Sequence, residues 1–160
     1  MNDSREQDFR QALGQFPTGV AVVTAASAGK NYALTINSFA SVSLSPKLIL
    51  WSLQDNSNAY DIFSDVEAFA ISFLAASQRD RSDYYARSEN HRLLDSDCLF
   101  GANQLPLVKG ALAQFECKLH EKIIAGDHVI IIGEVTGYHS QPEETTEPLV
   151  FFSGSYRELR

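Results

Sequence analysis

The sequence predicts a mostly β protein with a few peripheral helices. Segments rich in valine, isoleucine and aromatic residues recur along the chain and are separated by short turns. The 160 residues fit one domain that is large enough to bury a core. Because strands dominate and an exposed sheet edge is a liability, a closed β-barrel is the expected architecture.

Seven segments have the composition or the alternation of strands. They are residues 19–26, 31–38, 47–53, 68–74, 111–120, 128–138 and 149–152. The turn at residues 27–30 predicts that the first two form a hairpin. Residues 141–147 are predicted to be an acidic surface loop.

Three helices are predicted, at residues 4–14, 59–64 and 77–87. The first carries Phe9, Leu13 and Phe16 at roughly helical spacing, and its capping box is Ser4 with Gln7. Ser57 or Asn58 is the expected cap of the second helix, and Ser77 followed by Asp80 that of the third. Residues 88–104 are polar and irregular, which predicts a long loop of the kind that is often functional.

Composition narrows the class of protein. The net charge of −7 argues against nucleic-acid binding and, more weakly, against an anionic membrane surface. Cys98 and Cys117 are too few for a disulfide scaffold, so both are expected to be thiols in a reducing compartment. The polar N-terminus lacks the apolar stretch of a signal peptide, and no run is long enough to cross a membrane. We therefore expect a cytoplasmic protein.

Several familiar motifs are missing from the sequence. It has no GxGxxG, no GxxxxGK[ST] and no GxSxG, so a Rossmann site, a P-loop and a hydrolase elbow are unsupported. It has neither HExxH nor a cluster of cysteine and histidine, so no metal site is predicted.

The most informative segment is residues 35–46, which holds five hydroxyl side chains and one amide within 12 residues. Small hydroxyl residues suit a ligand that needs many neutral hydrogen bonds and a close approach to the backbone. Composition alone favours a plainer alternative, a Ser/Thr-rich strand and turn whose hydroxyls bond their own backbone.

Three shorter features stand beside that segment. Residues 52–58 are polar and lead into the second helix, where backbone amides attract phosphate, although a simple helix cap explains the same residues. His128 follows Gly126 and Asp127 at the start of a long strand, but a lone histidine is more often structural than functional. Tyr156 follows a Ser-Gly-Ser turn that could simply hold a packed aromatic side chain.

Taken together, five segments resemble one family in their order and spacing. They are FPTGVAVVTA, LTINSFASVSLSPKLIL, PLVKGALAQFEC, GDHVIIIGEV and PLVFFSGSYREL. The set resembles the flavin reductase-like family of FMN-binding split-barrel proteins, which includes reductase components of two-component monooxygenases. The resemblance extends from Phe9 to Leu159. It implies an FMN-binding split β-barrel, a single domain over residues 1–160, and a homodimer with the flavin near the subunit interface.

The resemblance also implies a set of site residues. Thr35, Asn37 and Ser38 would contact the flavin ring or ribityl chain, within a binding strand that also includes Ala33, Leu34 and Ile36. The ribityl-phosphate end would be lined by Ser52, Leu53, Gln54, Asn56, Ser57 and Asn58. Tyr85, Ala86 and Arg87 resemble a segment that lies beside the cofactor. His128 would position the nicotinamide nucleotide, as the catalytic residue, and Tyr156 would line the same face.

The function that this resemblance implies is hydride transfer from NADH or NADPH to FMN or FAD. Reduced flavin would then diffuse to an oxygenase component. The alternative is a non-catalytic flavin-binding or redox-sensing protein on the same scaffold. One position departs from the family pattern: Ala33 stands where glycine is frequent, and its methyl group is expected to narrow the space near the flavin.

Overall fold

The computed structural model describes residues 2–142 and 146–159, and its secondary structure is dominated by twelve strands within those ranges. The strands are β1 (Thr18–Gly19), β2 (Ala21–Ser27), β3 (Lys30–Ile36), β4 (Ala40–Leu44), β5 (Lys47–Gln54), β6 (Ala68–Phe73), β7 (Cys98–Phe100), β8 (Pro106–Val108), β9 (Ala113–Ala125), β10 (His128–Ser140), β11 (Val150–Phe152) and β12 (Ser155–Arg157). The α-helices are α1 (Asn2–Leu13), α2 (Tyr60–Phe63) and α3 (Arg79–Arg87), and two 3₁₀ turns lie at Ala76–Gln78 and Asp95–Asp97. None of the described helices has the length and apolar character needed to span a bilayer.

The main sheet has seven strands in the order β3-β2-β6-β9-β10-β5-β4, and every neighbouring pair is antiparallel. The expected closed barrel is wrong, because no pairing among the described residues joins β3 to β4. Instead, the Ser38 hydroxyl crosses the opening and hydrogen-bonds the backbone of Ser52 on β5. A side chain thus bridges the place where a closed barrel would have a strand ladder.

The main core fills the concave side of this sheet. Trp51 lies at its centre, fully buried, with Phe63 and Phe69 at ring-centroid distances of 5.9 and 6.0 Å. Gly133 on β10 is required here, since a Cβ would meet the Phe69 ring at 2.5 Å. A second core cluster lies between β2, β3 and α3 and includes Val22, Ala33 and Tyr85.

The predicted hairpin is confirmed. β2 pairs with β3 from Ala21↔Ile36 to Ser27↔Lys30, and Ala28 and Gly29 both have positive φ in the two-residue turn. Such turns match the right-handed twist of the paired strands.

The helix caps were predicted less well. α1 begins at Asn2, so Ser4 lies inside the helix and does not cap it. The Ser77–Asp80 cap is also wrong, because the chain first makes a 3₁₀ turn in which the Gln78 side chain accepts the Ala75 N–H at 3.0 Å. The Ser57 hydroxyl accepts the Ala59 N–H at 3.1 Å, next to α2 but outside the N-cap position.

Five short strands escaped the sequence analysis, and the first of them, β1, is only two residues long. β4 continues the hydroxyl-rich segment, β7 lies within the expected loop 88–104, and β8 and β12 are only three residues long. Side chains hold β8 in place: Ser72 accepts the Val108 N–H, and Gln114 donates to the Val108 carbonyl. Such long-range contacts leave no local pattern. Part of the expected loop 141–147, residues 143–145, lies outside the described residues.

Candidate functional site

A cleft of about 210 Å³ opens between β3, α3 and the C-terminal strands. We call it the α3 cleft, and it is lined by Val20, Thr35, Ile36, Asn37, Ser82, Ala86, Phe151 and Tyr156. A neighbouring apolar pocket of about 370 Å³ shares Val20, Ile36 and Asn37 with it and is otherwise walled by residues such as Phe16 and Leu112. The structure therefore brings together Thr35, Asn37, Ala86 and Tyr156, which lie up to 121 positions apart in the sequence.

Two of the predicted hydroxyl groups use their hydrogens inside the protein. Thr35 donates to the Ser82 carbonyl at 2.8 Å, and Ser38 donates to the Ser52 carbonyl at 3.3 Å while it accepts the Ser52 N–H at 3.0 Å. A hydroxyl has one hydrogen, so Thr35 can offer a ligand only an acceptor. The expectation of a row of free hydroxyl donors is not met at these two positions.

Asn37 is the free polar side chain of the cleft. It is exposed, it lines both the α3 cleft and the apolar pocket, and its amide makes no hydrogen bond to the described residues. An amide offers two donors and one acceptor. Asn37 can therefore serve both kinds of group on the edge of a polar ring.

The segment after β5 lies beside this region. Ser52 is joined to Ser38, and Gln54 pairs with His128 at the start of β10. Asn56 is exposed, and the Ser57 hydroxyl faces the Ala59 amide. Asn58 contacts a second segment, since its Oδ1 lies 2.6 Å from His91 Nε2.

His91 is a functional candidate that the sequence analysis missed. It is 3% exposed, has a positive φ of 52°, and its carbonyl accepts the Ala33 N–H at 2.7 Å. Burial lowers the pKa of His91, so the ring is neutral and Nε2–H donates to Asn58. His91 thus ties the residue 52–58 segment to the edge of β3.

His128 lies at the same end of the sheet but does not line the α3 cleft. Its Nδ1 is 2.7 Å from Asp127 Oδ1, and the side chain is 41% exposed. The hydrogen bond from His128 lowers the pKa of Asp127, which keeps that carboxylate ionised as an acceptor. Nδ1–H therefore points to Asp127 and Nε2 is left for a ligand.

Tyr156 is held by α3. Its hydroxyl lies 2.7 Å from Ser82 Oγ and 3.0 Å from Asp83 Oδ1, and the Arg79 guanidinium lies 4.8 Å from the ring centroid. Burial and the nearby Asp83 raise the pKa of Tyr156, so the phenol remains protonated at neutral pH. Arg87 lies outside the α3 cleft, in a surface groove with Asp80 and Asp83.

Three predicted ligand contacts have side chains in the core. Ala33 and Tyr85 are fully buried in the second cluster, and Leu53, 1% exposed, is part of the main core. Leu34 also packs against the main core. The Ala33 side chain is therefore in the same core cluster as Tyr85 and does not line the α3 cleft.

Ser82 and Asp83 were also missed by the sequence analysis. Ser82 and Ala86 are four residues apart and so share one face of α3, a spacing that could have drawn attention to Ser82. No local signal marks Asp83 or His91, because their partners are distant in the sequence.

The α3 cleft has the character of a site for a flat heterocycle. Val20, Ile36 and Phe151 provide apolar walls, and Asn37 and Thr35 provide a donor and acceptor edge. An isoalloxazine ring has the matching chemistry, an apolar face and a pyrimidine edge with both donors and acceptors. These features fit a planar heterocyclic ligand on an open β scaffold.

Comparisons with known proteins agree with this class. Residues 13–160 match the model of the flavin reductase like domain. The chain is 41% identical over 151 residues to the FMN reductase (NADH) SmoA of Agrobacterium fabrum, covering 94% of this chain and 84% of that protein. It is also 41% identical over 135 residues to the reductase component of the flavin-dependent trigonelline monooxygenase of Acinetobacter baylyi, covering 84% of this chain and 44% of that protein.

A solved structure is similar over almost its whole length. It is the Streptomyces globisporus C-1027 NADH:FAD oxidoreductase SgcE6 in complex with NAD and FAD fragments, with a TM-score of 0.88, 34% identity, and coverage of 97% of this chain and 93% of that chain. The chain therefore belongs to the flavin reductase-like family. The family and the split β fold expected from the sequence are both confirmed.

Proposed function

We propose that this protein is an NADH-dependent flavin reductase whose flavin ring binds in the α3 cleft. The observation that carries the proposal is the pairing of apolar walls with the free amide of Asn37 and the acceptor of Thr35. The relatives support it, since SmoA is named for NADH and FMN, and the Streptomyces structure holds NAD and FAD fragments. When bound, the flavin supplies the hydride acceptor.

The residues of the chain would bind and orient the two nucleotides. Asn37 and Thr35 would hold the polar edge of the flavin, and the segment Ser52–Asn58, fixed by His91, would hold its ribityl-phosphate end. His128 would present Nε2 to the nicotinamide nucleotide, because Asp127 engages Nδ1. Holding donor and acceptor in contact accounts for the rate, with no general acid or base required.

Mixing the protein with NADH or NADPH and with riboflavin, FMN or FAD, without oxygen, tests this function. We expect bleaching of FMN or FAD by NADH. Asn37→Ala should raise the KM for flavin. Asn103→Ala, on a loop that lines neither the α3 cleft nor the apolar pocket, should leave that KM unchanged. Flavin binding without turnover would favour the alternative, a non-catalytic flavin-binding protein.

His128 has a separate test. His128→Ala is expected to raise the KM for NADH by about tenfold, because the substitution removes the hydrogen bond between Nε2 and the bound nucleotide. Flavin affinity, measured by fluorescence titration, should stay close to that of the unchanged protein. An unchanged KM for NADH would remove the role assigned to His128.

We also propose that the protein is a homodimer. Phe9, Leu13 and Phe16 are 63%, 59% and 76% exposed, and they form an apolar stripe next to the apolar pocket. Exposed stripes of this kind mark association surfaces. Leu13→Asp should convert a dimer to a monomer in sedimentation experiments, and a monomeric unchanged protein would contradict the proposal.

The physiological acceptor would be an oxygenase that takes reduced flavin by diffusion, as the trigonelline monooxygenase relative suggests. The cytoplasm is the matching compartment, supported by two free thiols in Cys98 and Cys117. Turnover of an oxygenase across a dialysis membrane would test diffusion, and a requirement for direct contact would contradict it.

A further inference from the structure

The C-terminal strand β12 forms one wall of the α3 cleft, yet its backbone is attached only from one side. Among the described residues it pairs with β11 alone, and β11 in turn pairs with β1 through Thr18↔Phe151 and Gly19↔Val150. The Ser153 N–H donates to the Gly14 carbonyl, at the turn of the same hairpin. None of these backbone bonds joins β12 to α3, which forms the opposite wall.

The Tyr156 side chain supplies that connection. A phenol has one hydrogen and an ionised carboxylate only accepts, so Tyr156 donates to Asp83 at 3.0 Å. Ser82 Oγ–H must then donate to the Tyr156 oxygen at 2.7 Å. The Arg79 guanidinium above the ring and Phe151 at its edge complete the contacts, at 4.8 and 5.6 Å from the ring centroid.

The same turn of α3 holds two walls of the cleft at once. The Ser82 carbonyl accepts the hydrogen of Thr35 on β3, and the Ser82 hydroxyl engages Tyr156 on β12. Both Thr35 and Tyr156 line the cleft. Displacing the Tyr156 ring would widen the cleft on the side of the C-terminal hairpin without disturbing the seven-stranded sheet.

We propose that Asp83 and Ser82 are positioning residues that hold Tyr156 as a latch over the flavin cleft and so set how long a flavin stays bound. The inference rests on the proposed function, because it concerns flavin in that cleft. A reductase that passes on its product needs retention during hydride transfer and exchange afterwards. Hydrogen bonds at a partly exposed site suit this need, since water can replace them when the latch opens.

The chain contains a matched control on the same helix. Tyr85 also donates to a carboxylate, Asp97 Oδ2 at 2.6 Å, but its ring is fully buried in the core and does not line the cleft. Tyr85→Phe and Tyr156→Phe therefore each remove one phenolic hydroxyl that donates a hydrogen bond to an aspartate carboxylate. Only the second change should alter flavin exchange.

The test is the dissociation rate of FMN, followed by fluorescence after dilution of the loaded protein. Tyr156→Phe and Asp83→Ala should each raise this rate roughly tenfold, because each removes the central hydrogen bond. Asp83→Asn keeps an acceptor oxygen and should restore most of the retention. The double variant Asp83→Ala/Tyr156→Phe should release FMN no faster than the single variants, as expected for two partners in one contact.

Several results would overturn the latch. Rates within about twofold of the unchanged protein for both Tyr156→Phe and Asp83→Ala would do so, as would an equal rise in Tyr85→Phe. If Tyr156→Phe does not fold, Ser82→Ala decides by the same measurement. Failure of the unchanged protein to bind FMN would instead reject the proposed function, so the two failures are distinguishable.

Discussion

Helix α3 contributes one member to each of two tyrosine–carboxylate pairs, Tyr85 to the first and Asp83 to the second. The two pairs are chemically alike but differ in their surroundings. In the first pair, Tyr85 donates a hydrogen bond to Asp97 Oδ2, and Arg81 Nε donates to the other carboxylate oxygen, Oδ1, at 2.7 Å. In the second pair, Tyr156 donates to Asp83 in the wall of the cleft. The first pair is buried and joins α3 to the segment before β7, whereas the second is partly exposed and joins α3 to the C-terminal hairpin.

The difference shows that burial decides what such a pair does. When a buried hydroxyl or carboxylate loses its hydrogen-bond partner, no water can take the partner's place, so the free energy of unfolding falls. Burial raises the pKa of Tyr85, and the hydrogen bond to Asp97 raises it further. A partly exposed pair can open to solvent at small cost, which allows it to control access to a site.

The largest expected effect is that of Asp97→Ala. The change leaves the buried Tyr85 hydroxyl without its acceptor and removes the partner of Arg81, so we expect a loss of about 2–3 kcal/mol in the free energy of unfolding. Urea denaturation provides the measurement. Asp95→Ala, at an exposed aspartate two residues away, is the control and should change stability by less than about 0.5 kcal/mol. Equal losses in the two variants would contradict the difference between the pairs.

Tyr85→Phe should have the next largest effect. It removes the donor but leaves Asp97 bonded to Arg81, so the expected loss is about 1–1.5 kcal/mol in the same urea experiment. A neutral result would mean that Arg81 alone satisfies Asp97.

The pH dependence of the free energy of unfolding tests a third hydrogen-bonded pair, the one between buried His91 and Asn58. Burial holds the pKa of His91 below its ordinary value of 6.5, so the unfolded chain binds the proton more readily than the folded protein. His91 therefore leaves stability undiminished above about pH 6.5 and reduces it as pH falls through that value toward its folded pKa. Nδ1 is buried without a hydrogen-bond partner in the described residues, and a backbone contact with Ala33 offsets only part of the effect of burial on the pKa of His91.

The measurement is the midpoint of urea denaturation between pH 7.5 and pH 5. This range extends about one pH unit or more on each side of 6.5, the ordinary pKa of histidine. His91→Gln keeps a donor for Asn58 and should flatten this part of the curve. The same slope in both proteins would assign the pH dependence to other groups.

The smallest expected effect on stability belongs to Tyr156→Phe. Because Asp83 and Tyr156 are partly exposed and water can reach the vacated position on the Asp83 carboxylate, we expect a loss of less than about 1 kcal/mol, below that of Tyr85→Phe. Thermal unfolding of the two variants side by side checks the order. A larger loss for Tyr156→Phe would show that the C-terminal hairpin is a structural element and not a latch.

Much of the site was predictable because its residues sit in recognisable segments. The strand around Thr35 and Asn37, Ala86 on α3 and Tyr156 near the C-terminus were all expected, and the structure brings them to one cleft. The orientation of individual side chains was not predictable. Ala33, Leu53 and Tyr85 belong to the expected segments, yet their side chains lie in the core. Ala33 and Leu53 do so because neighbouring residues of a strand point to opposite faces, and Tyr85 because it is on the buried face of α3.

The amino-acid sequence by itself determined the mostly β character, the β2–β3 hairpin and the membership of a flavin reductase-like family, because strand composition, turn residues and ordered motifs are local properties. Only the tertiary structure decided that the sheet stays open between β3 and β4, that the hydrogens of Thr35 and Ser38 are used internally, and that Ser82, Asp83 and His91 fix the walls of the site. These features depend on hydrogen bonds between residues 14 to 74 positions apart, and the direction of such bonds is set by packing.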